Sequence, residues 1–190
     1  MYQRIIGFIM AVCAISPAAA QDLDISLNSD AAQFQVSYPL DKHKQFPKGE
    51  LNGSLIFSTD DDMIVGVGAR VAGETGSATP GLSAGLGARL FGGSAEDNGM
   101  AALALNGALR YSPPPFPRFG IGMEFFYAPN IVTFIEADNY LHWELRVEYE
   151  VLPESYVYVG FRKLRVGLED DDEDETDVDS GGHIGLKIHF

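Results

Sequence analysis

The sequence predicts an all-β fold, a closed antiparallel transmembrane β-barrel of about ten strands, with eight as the runner-up count. Three observations predict it. After residue 20 no stretch keeps a helical period, whereas alternation of apolar and polar residues recurs to the end of the chain. Several alternating runs exceed the five or six residues usual in soluble sheets and match the nine to eleven that cross a bilayer at a tilt. The polar side of the alternation is rich in glycine and arginine, as in Gly66, Gly68 and Arg70 and again in Gly85, Gly87 and Arg89. Glycine adds nothing to a solvated face, but inside a narrow barrel it leaves room for long neighbours.

Taken in order, residues 1–20 read as a leader rather than as part of the barrel. Arg4 precedes an apolar run from Ile5 to Ile15 and then Ser16, Pro17 and three alanines, the pattern of a cleaved secretory signal peptide ending at Ala20. Cys13 follows Val12, a poor match to a lipidation site. Residues 21–190, read as one domain, then hold no cysteine and so no disulfide framework.

The predicted strands are 22–28, 31–38, 50–59, 63–73, 80–91, 99–112, 117–128, 139–152, 155–168 and 182–190. The eighth is the clearest, with Leu141, Trp143, Leu145, Val147, Tyr149 and Val151 on one face and His142, Glu144, Arg146, Glu148 and Glu150 on the other. The seventh sets Phe119, Ile121, Met123, Phe125 and Tyr127 against Arg118, Gly120, Gly122 and Glu124. The last alternates through Ile184, Leu186, Ile188 and Phe190, the terminal Phe190 serving as a candidate signal for the outer-membrane insertion machinery. Closure against the first strand leaves no free edge. Short repeats, GVGARVAG at 66–73 and GLGARLFG at 85–92, are explained about equally well by shared strand composition and by a duplicated unit.

Alternation alone does not say which face is inside, since lipocalin-like and membrane barrels share the period with opposite orientation. Besides the glycine and arginine face, aromatic residues near strand ends predict interfacial girdles: Tyr38, Phe91, Tyr111, Phe116, Tyr127, Tyr140 and Tyr149. With both termini periplasmic, Asp60 to Asp62, Gly92 to Asn98, Pro129 to Asp138 and the acidic run are expected as outer loops. Ser112 to Phe116 and Leu152 to Glu154 are expected as short inner turns, with Pro39 to Gly49 a long exception. The location expected is the bacterial outer membrane, with outer-membrane lipid and lipopolysaccharide as surroundings and a monomer as the working unit.

Charge excludes one class of partner. Removing residues 1–20, which carry one basic residue and no acidic one, takes the formal net charge from −14 to −15, and phosphates of nucleic acid would be repelled. Nine of the acids crowd into Glu169 to Asp179.

In its C-terminal half the chain resembles the YfaZ family of bacterial outer-membrane proteins. The residues that carry the likeness are EFFYAP at 124–129, EADNYLHWELRVEY at 136–149, VGFR at 159–162 and the glycine-rich last strand ending at Phe190. Lys163 stands where an aromatic residue is expected after GFR. The resemblance implies a small outer-membrane barrel and brings no reaction with it.

The chemistry expected of such a barrel lies in its enclosed charges: Arg70, Arg89, Arg110, Arg118, Glu124, Glu144, Arg146, Glu148, Glu150, Arg162 and Lys187. Charges away from water must pair or meet lumenal water. Two readings follow, a salt-bridged filling that fixes strand register and a charged constriction for small solutes; ten strands enclose little more than side chains can fill, which favours the filling. Asp170, Asp172 and Asp174 form a weak candidate for Ca²⁺ or Mg²⁺, but Glu175 stands where an EF-hand needs glycine, and a charge block of this kind reads as a solvated loop. No cofactor is expected. An outer-membrane lipid-modifying enzyme, with His142, His183 or His189 acting beside Ser155 or Asp138, and a soluble periplasmic binding barrel are the rival readings; neither has a recognisable motif.

Overall fold

The structure, a computed structural model, describes residues 22–40, 48–59, 62–76, 79–95, 98–135, 137–168 and 175–190. The leader and Asp170, Asp172 and Asp174 lie outside these residues. The strands are β1 (Asp22–Leu27), β2 (Ala31–Pro39), β3 (Lys48–Ser58), β4 (Met63–Glu74), β5 (Leu82–Ala95), β6 (Asn98–Tyr111), β7 (Phe119–Ala128), β8 (Thr133–Ile135), β9 (Ala137–Leu152), β10 (Ser155–Leu168) and β11 (Glu175–His189). Consecutive strands pair antiparallel except at β8, which pairs with β6 while β7 pairs with β9; β11 returns to β1, and β5 to β6 completes the ring. In β1 the register runs from Asp22 opposite His189 to Leu27 opposite Ile184.

Ten strand positions close the barrel although eleven strands are named, because β8 continues β7. Tyr127 pairs with Leu105 of β6, and Thr133 pairs with Ala102 further along the same strand. The 3₁₀ turn Asn130–Val132 is an insertion between them. Hence 129–138, expected as an outer loop, is largely wall. The same holds for 92–98, where β5 continues to Ala95 and β6 starts at Asn98.

These extensions overturn the expected loop asymmetry. At the end carrying the chain termini the connections are 40–47, 75–81, 112–118 and 153–154; at the far end they are 28–30, 59–62, 96–97, 136 and 169–174. Long strands, rather than long loops, fill the far end. β9 has 16 residues and β11 has 15. Both exceed what a bilayer needs, so the wall continues past the hydrocarbon. The tight turn at 153–154 is as expected, with Glu154 at φ 64, the positive value that the third residue of a type II turn requires after proline.

The outside of the terminal half is apolar and accessible. Leu86 is 75% exposed, Leu105 67%, Ile184 63% and Val159 60%, and Val67, Leu145, Val157 and Phe161 join them. A band of this extent in water would be an association surface, and a soluble binding barrel is the reverse of it. Lipid is the solvent that fits, and the chain is a transmembrane β-barrel.

Candidate functional site

Within the terminal half many inward side chains are charged, and they pair along a strand, between neighbouring strands and across the lumen. Arg70 on β4 bridges Glu50 on β3 at 2.6 Å and Glu124 on β7 at 2.5 Å. Arg146 on β9 reaches Asp24 on β1 at 3.2 Å, Glu144 at 3.5 Å and Glu148 at 3.7 Å. Arg110 pairs with Glu148, and the Tyr158 hydroxyl donates to Asp24. Nearest the termini, Asp22 accepts from His189 and lies 3.8 Å from Lys187. Glu150, also inward, accepts the Glu154 N–H at 3.4 Å.

Inward glycines make these reaches possible. A Cβ on Gly85 would stand 3.1 Å from Arg70 Cδ, one on Gly122 would stand 3.1 Å from Arg146 Nε, and one on Gly185 would lie 2.2 Å from the Tyr158 ring. Long side chains therefore lie flat across the neighbouring strand instead of projecting to the axis. What they leave open is a polar cavity of about 120 Å³, bounded by Asp24, Arg70, Glu124, Glu144, Arg146 and Lys187 among others.

Above the cavity the lumen closes. Arg162 on β10 is wholly buried, with Nε donating to Asp179 at 2.6 Å and Nη1 donating to Ser26 at 3.0 Å and to Gln33. Arg89 on β5 has no carboxylate in contact among the described residues. It donates to Asn52 at 2.8 Å and to Gln35 and Ser54, and its guanidinium lies 4.6 Å from the Phe126 ring centroid. His183 approaches Glu144 at 3.5 Å, and His142 stacks on Phe126 at 5.2 Å.

Beyond Arg89 the inward face turns apolar. Phe91 stacks on Tyr140 at 4.5 Å and meets Phe126 edge-on at 5.5 Å. Ile56, Ile64, Met100, Ala102, Ala104, Ala128, Leu164 and Val166 complete a cluster with almost no solvent exposure. β10 displays the change within one strand. Val157, Val159 and Phe161 face out while Tyr158 and Arg162 face in; past that point Leu164 and Val166 are buried and Lys163 and Arg165 face out. The phase of the alternation stays fixed, and its chemistry inverts at Arg162 and Lys163.

Set against expectation, Arg70, Arg89, Arg110, Glu124, Glu144, Arg146, Glu148, Arg162 and Lys187 all lie on inward faces. Arg118 does not: β7 begins at Phe119, so Arg118 is exposed in the preceding turn. Phe91 and Tyr140, expected in the girdles, are instead inside, at 1% and 0% exposure. Tyr38, Tyr111, Phe116, Tyr127 and Tyr149 are on the outside. Sequence reasoning missed Asp24, Glu50 and Asp179, carboxylates that answer Arg146, Arg70 and Arg162, and Asp22, which answers Lys187 and His189. Asp22, Asp24 and Glu50 were visible as polar members of the alternation DLDIS and ELNGS; Asp179 was hidden in an acidic run read as loop. His142 and His183 are buried in mid-lumen, away from Ser155 at the terminal start of β10; His189 does lie beside the turn at 153–154, its N–H donating to the Glu154 carbonyl at 2.8 Å, but its ring is bonded to Asp22.

Two solved structures are similar in outline. A KdgM porin is 12% identical with a TM-score of 0.48, covering 90% of this chain and 99% of that one. The outer membrane protein Omp33 of Acinetobacter baumannii is 13% identical with a TM-score of 0.42, covering 90% and 98%. No curated protein matches the chain significantly. The family model described as "YfaZ precursor" matches residues 5–190, and with the barrel and its charged lumen in view, the chain belongs to the YfaZ family.

Proposed function

We propose that the protein is a monomeric outer-membrane barrel that is closed at rest: a charge-lined vestibule opens toward the termini, and packed side chains seal the other end. The observation that carries this reading is the sequence of layers along the lumen, a cavity of about 120 Å³ followed by the wholly buried Arg162 and then by the Phe91, Phe126 and Tyr140 cluster. A layer of close-packed rings leaves no path for a hydrated ion. The leader-like residues 1–20 and the family's description as a precursor support export, and the last strand with Phe190 supports handling by the outer-membrane insertion machinery. The structural role is the resting role, and any conduction requires the apolar layer to move. An enzymatic role has less support, since His142 and His183 stand away from Ser155 and the His189 ring, on the strand beside it, is engaged by Asp22.

The test is conductance in planar bilayers. The wild-type protein is expected to give no sustained current, whereas Arg89→Ala combined with Phe91→Ala opens a current that Glu144→Ala then alters. A steady wild-type pore, unmoved by the double change, overturns the reading.

A further inference from the structure

We propose that the terminal-end turn 112–118 is a docking site for the phosphate headgroup of a glycerophospholipid, with Arg118 as its ligand. The sequence of this turn is SPPPFPR, so proline holds φ at four of its seven positions. Hydrogen bonds hold the rest: the Ser112 N–H donates to Gly81 at 2.9 Å and the Phe116 N–H to Pro113 at 2.8 Å. The Phe119 N–H donates to Phe116 at 2.9 Å and the Glu150 N–H to the Arg118 carbonyl at 2.8 Å. The Ser112 hydroxyl adds bonds to the carbonyls of Pro117 and Phe119, at 3.2 and 3.0 Å. Gly81, at φ +84, lets the neighbouring turn come so close that a Cβ there would lie 2.0 Å from the Ser112 oxygen.

This rigid frame holds an aromatic ring out rather than in. Phe116 is 68% exposed, and Phe119 and Tyr149, which face each other in register, are 37% and 49% exposed on the lipid side. With Pro115, Pro117 and Arg118 they line a groove of about 560 Å³. It sits at the terminal margin of the apolar band, the depth at which headgroups meet hydrocarbon. Arg118 is exposed there, and no ion pair engages its guanidinium among the described residues. A planar fork of donors beside an apolar groove matches a phosphate oxygen pair with an acyl chain below it. The choice of glycerophospholipid over a lipopolysaccharide phosphate rests on the orientation expected from the sequence, with both termini periplasmic and so toward the inner leaflet.

Native mass spectrometry of the full chain in neutral detergent, titrated with phosphatidylglycerol, diacylglycerol or lipid A, tests this. Wild type is expected to retain phosphatidylglycerol and not diacylglycerol. Arg118→Glu should lower that occupancy about fivefold, the weight of one cation near a lipid surface. Phe116→Ala should also lower it, while Lys163→Glu with Arg165→Glu at the opposite rim leaves it unchanged. Heat-modifiable mobility shows that each variant is folded. The proposal fails if Arg118→Glu retains as much phosphatidylglycerol as wild type, if diacylglycerol is retained equally, or if lipid A displaces phosphatidylglycerol through Arg118. Sustained wild-type conductance would overturn the closed-barrel reading and leave this result untouched.

Discussion

The two halves of the barrel use one wall to meet two different surroundings. In the terminal half the wall is apolar outside and charged inside, and its interior holds a cavity. In the far half Phe91, Phe126, Tyr140, Leu164 and Val166 are packed inside; outside, β10 turns to Lys163 and Arg165, while Leu90, Leu103 and Tyr127 keep other strands apolar. Alternation fixes only which residues share a face. The chemistry of each face tells where hydrocarbon ends, and in β10 that boundary falls between Phe161 and Lys163. The strands of the far half run on past that boundary, with their inward side chains packed against one another.

The layer where the halves meet is held by a buried ion pair, Arg162 with Asp179. Arg162→Ala leaves Asp179 buried without its cation and opens a void under the apolar cluster, and loss of one member of a buried pair costs about 3–5 kcal/mol. Urea unfolding of the refolded barrel should show that loss. From outside, Val159→Arg places a charge on the apolar band; a cation on the lipid face costs about 2–4 kcal/mol at the midplane and about 0–1 kcal/mol near the interface. The same unfolding assay in lipid vesicles measures it. A cost near zero would mean that Val159 lies at the interface or in water and that the hydrophobic band has been misplaced.

Much of the fold was legible. All ten strand positions were marked by alternation, because side chains on a pleated strand must alternate and the two faces here differ in chemistry. The tight turn at Leu152, Pro153 and Glu154 was legible for the same local reason, proline fixing the turn. The inversion was harder to see, though one residue announced it. Lys163 stands where the family resemblance leads one to expect an aromatic ring, and that departure is the boundary itself. Phe91 and Tyr140 were assigned to the girdle because they sit near strand ends; parity with Arg89 and His142 places them inside. Pairing partners across the lumen were beyond reach, since Arg70 with Glu124 and Arg162 with Ser26 depend on how the sheet closes, which no local pattern states. The loop lengths misled because Pro129 and the glycines at 92 and 93 look like turn residues, yet here they sit within or beside extended wall.

One strand carries both halves on the same face, which permits a direct measurement. Ala108 on β6 lines the cavity, and Ala104, two repeats further along, is wholly buried in the apolar cluster. Residues 21–190 contain no cysteine, so Ala108→Cys and Ala104→Cys each introduce a single thiol into the mature barrel. With the barrel folded in vesicles, a small charged thiol reagent should label position 108 readily and leave position 104 unmodified until the protein is unfolded. Equal labelling of both in the folded barrel would show water running the length of the lumen and would contradict the sealed far half.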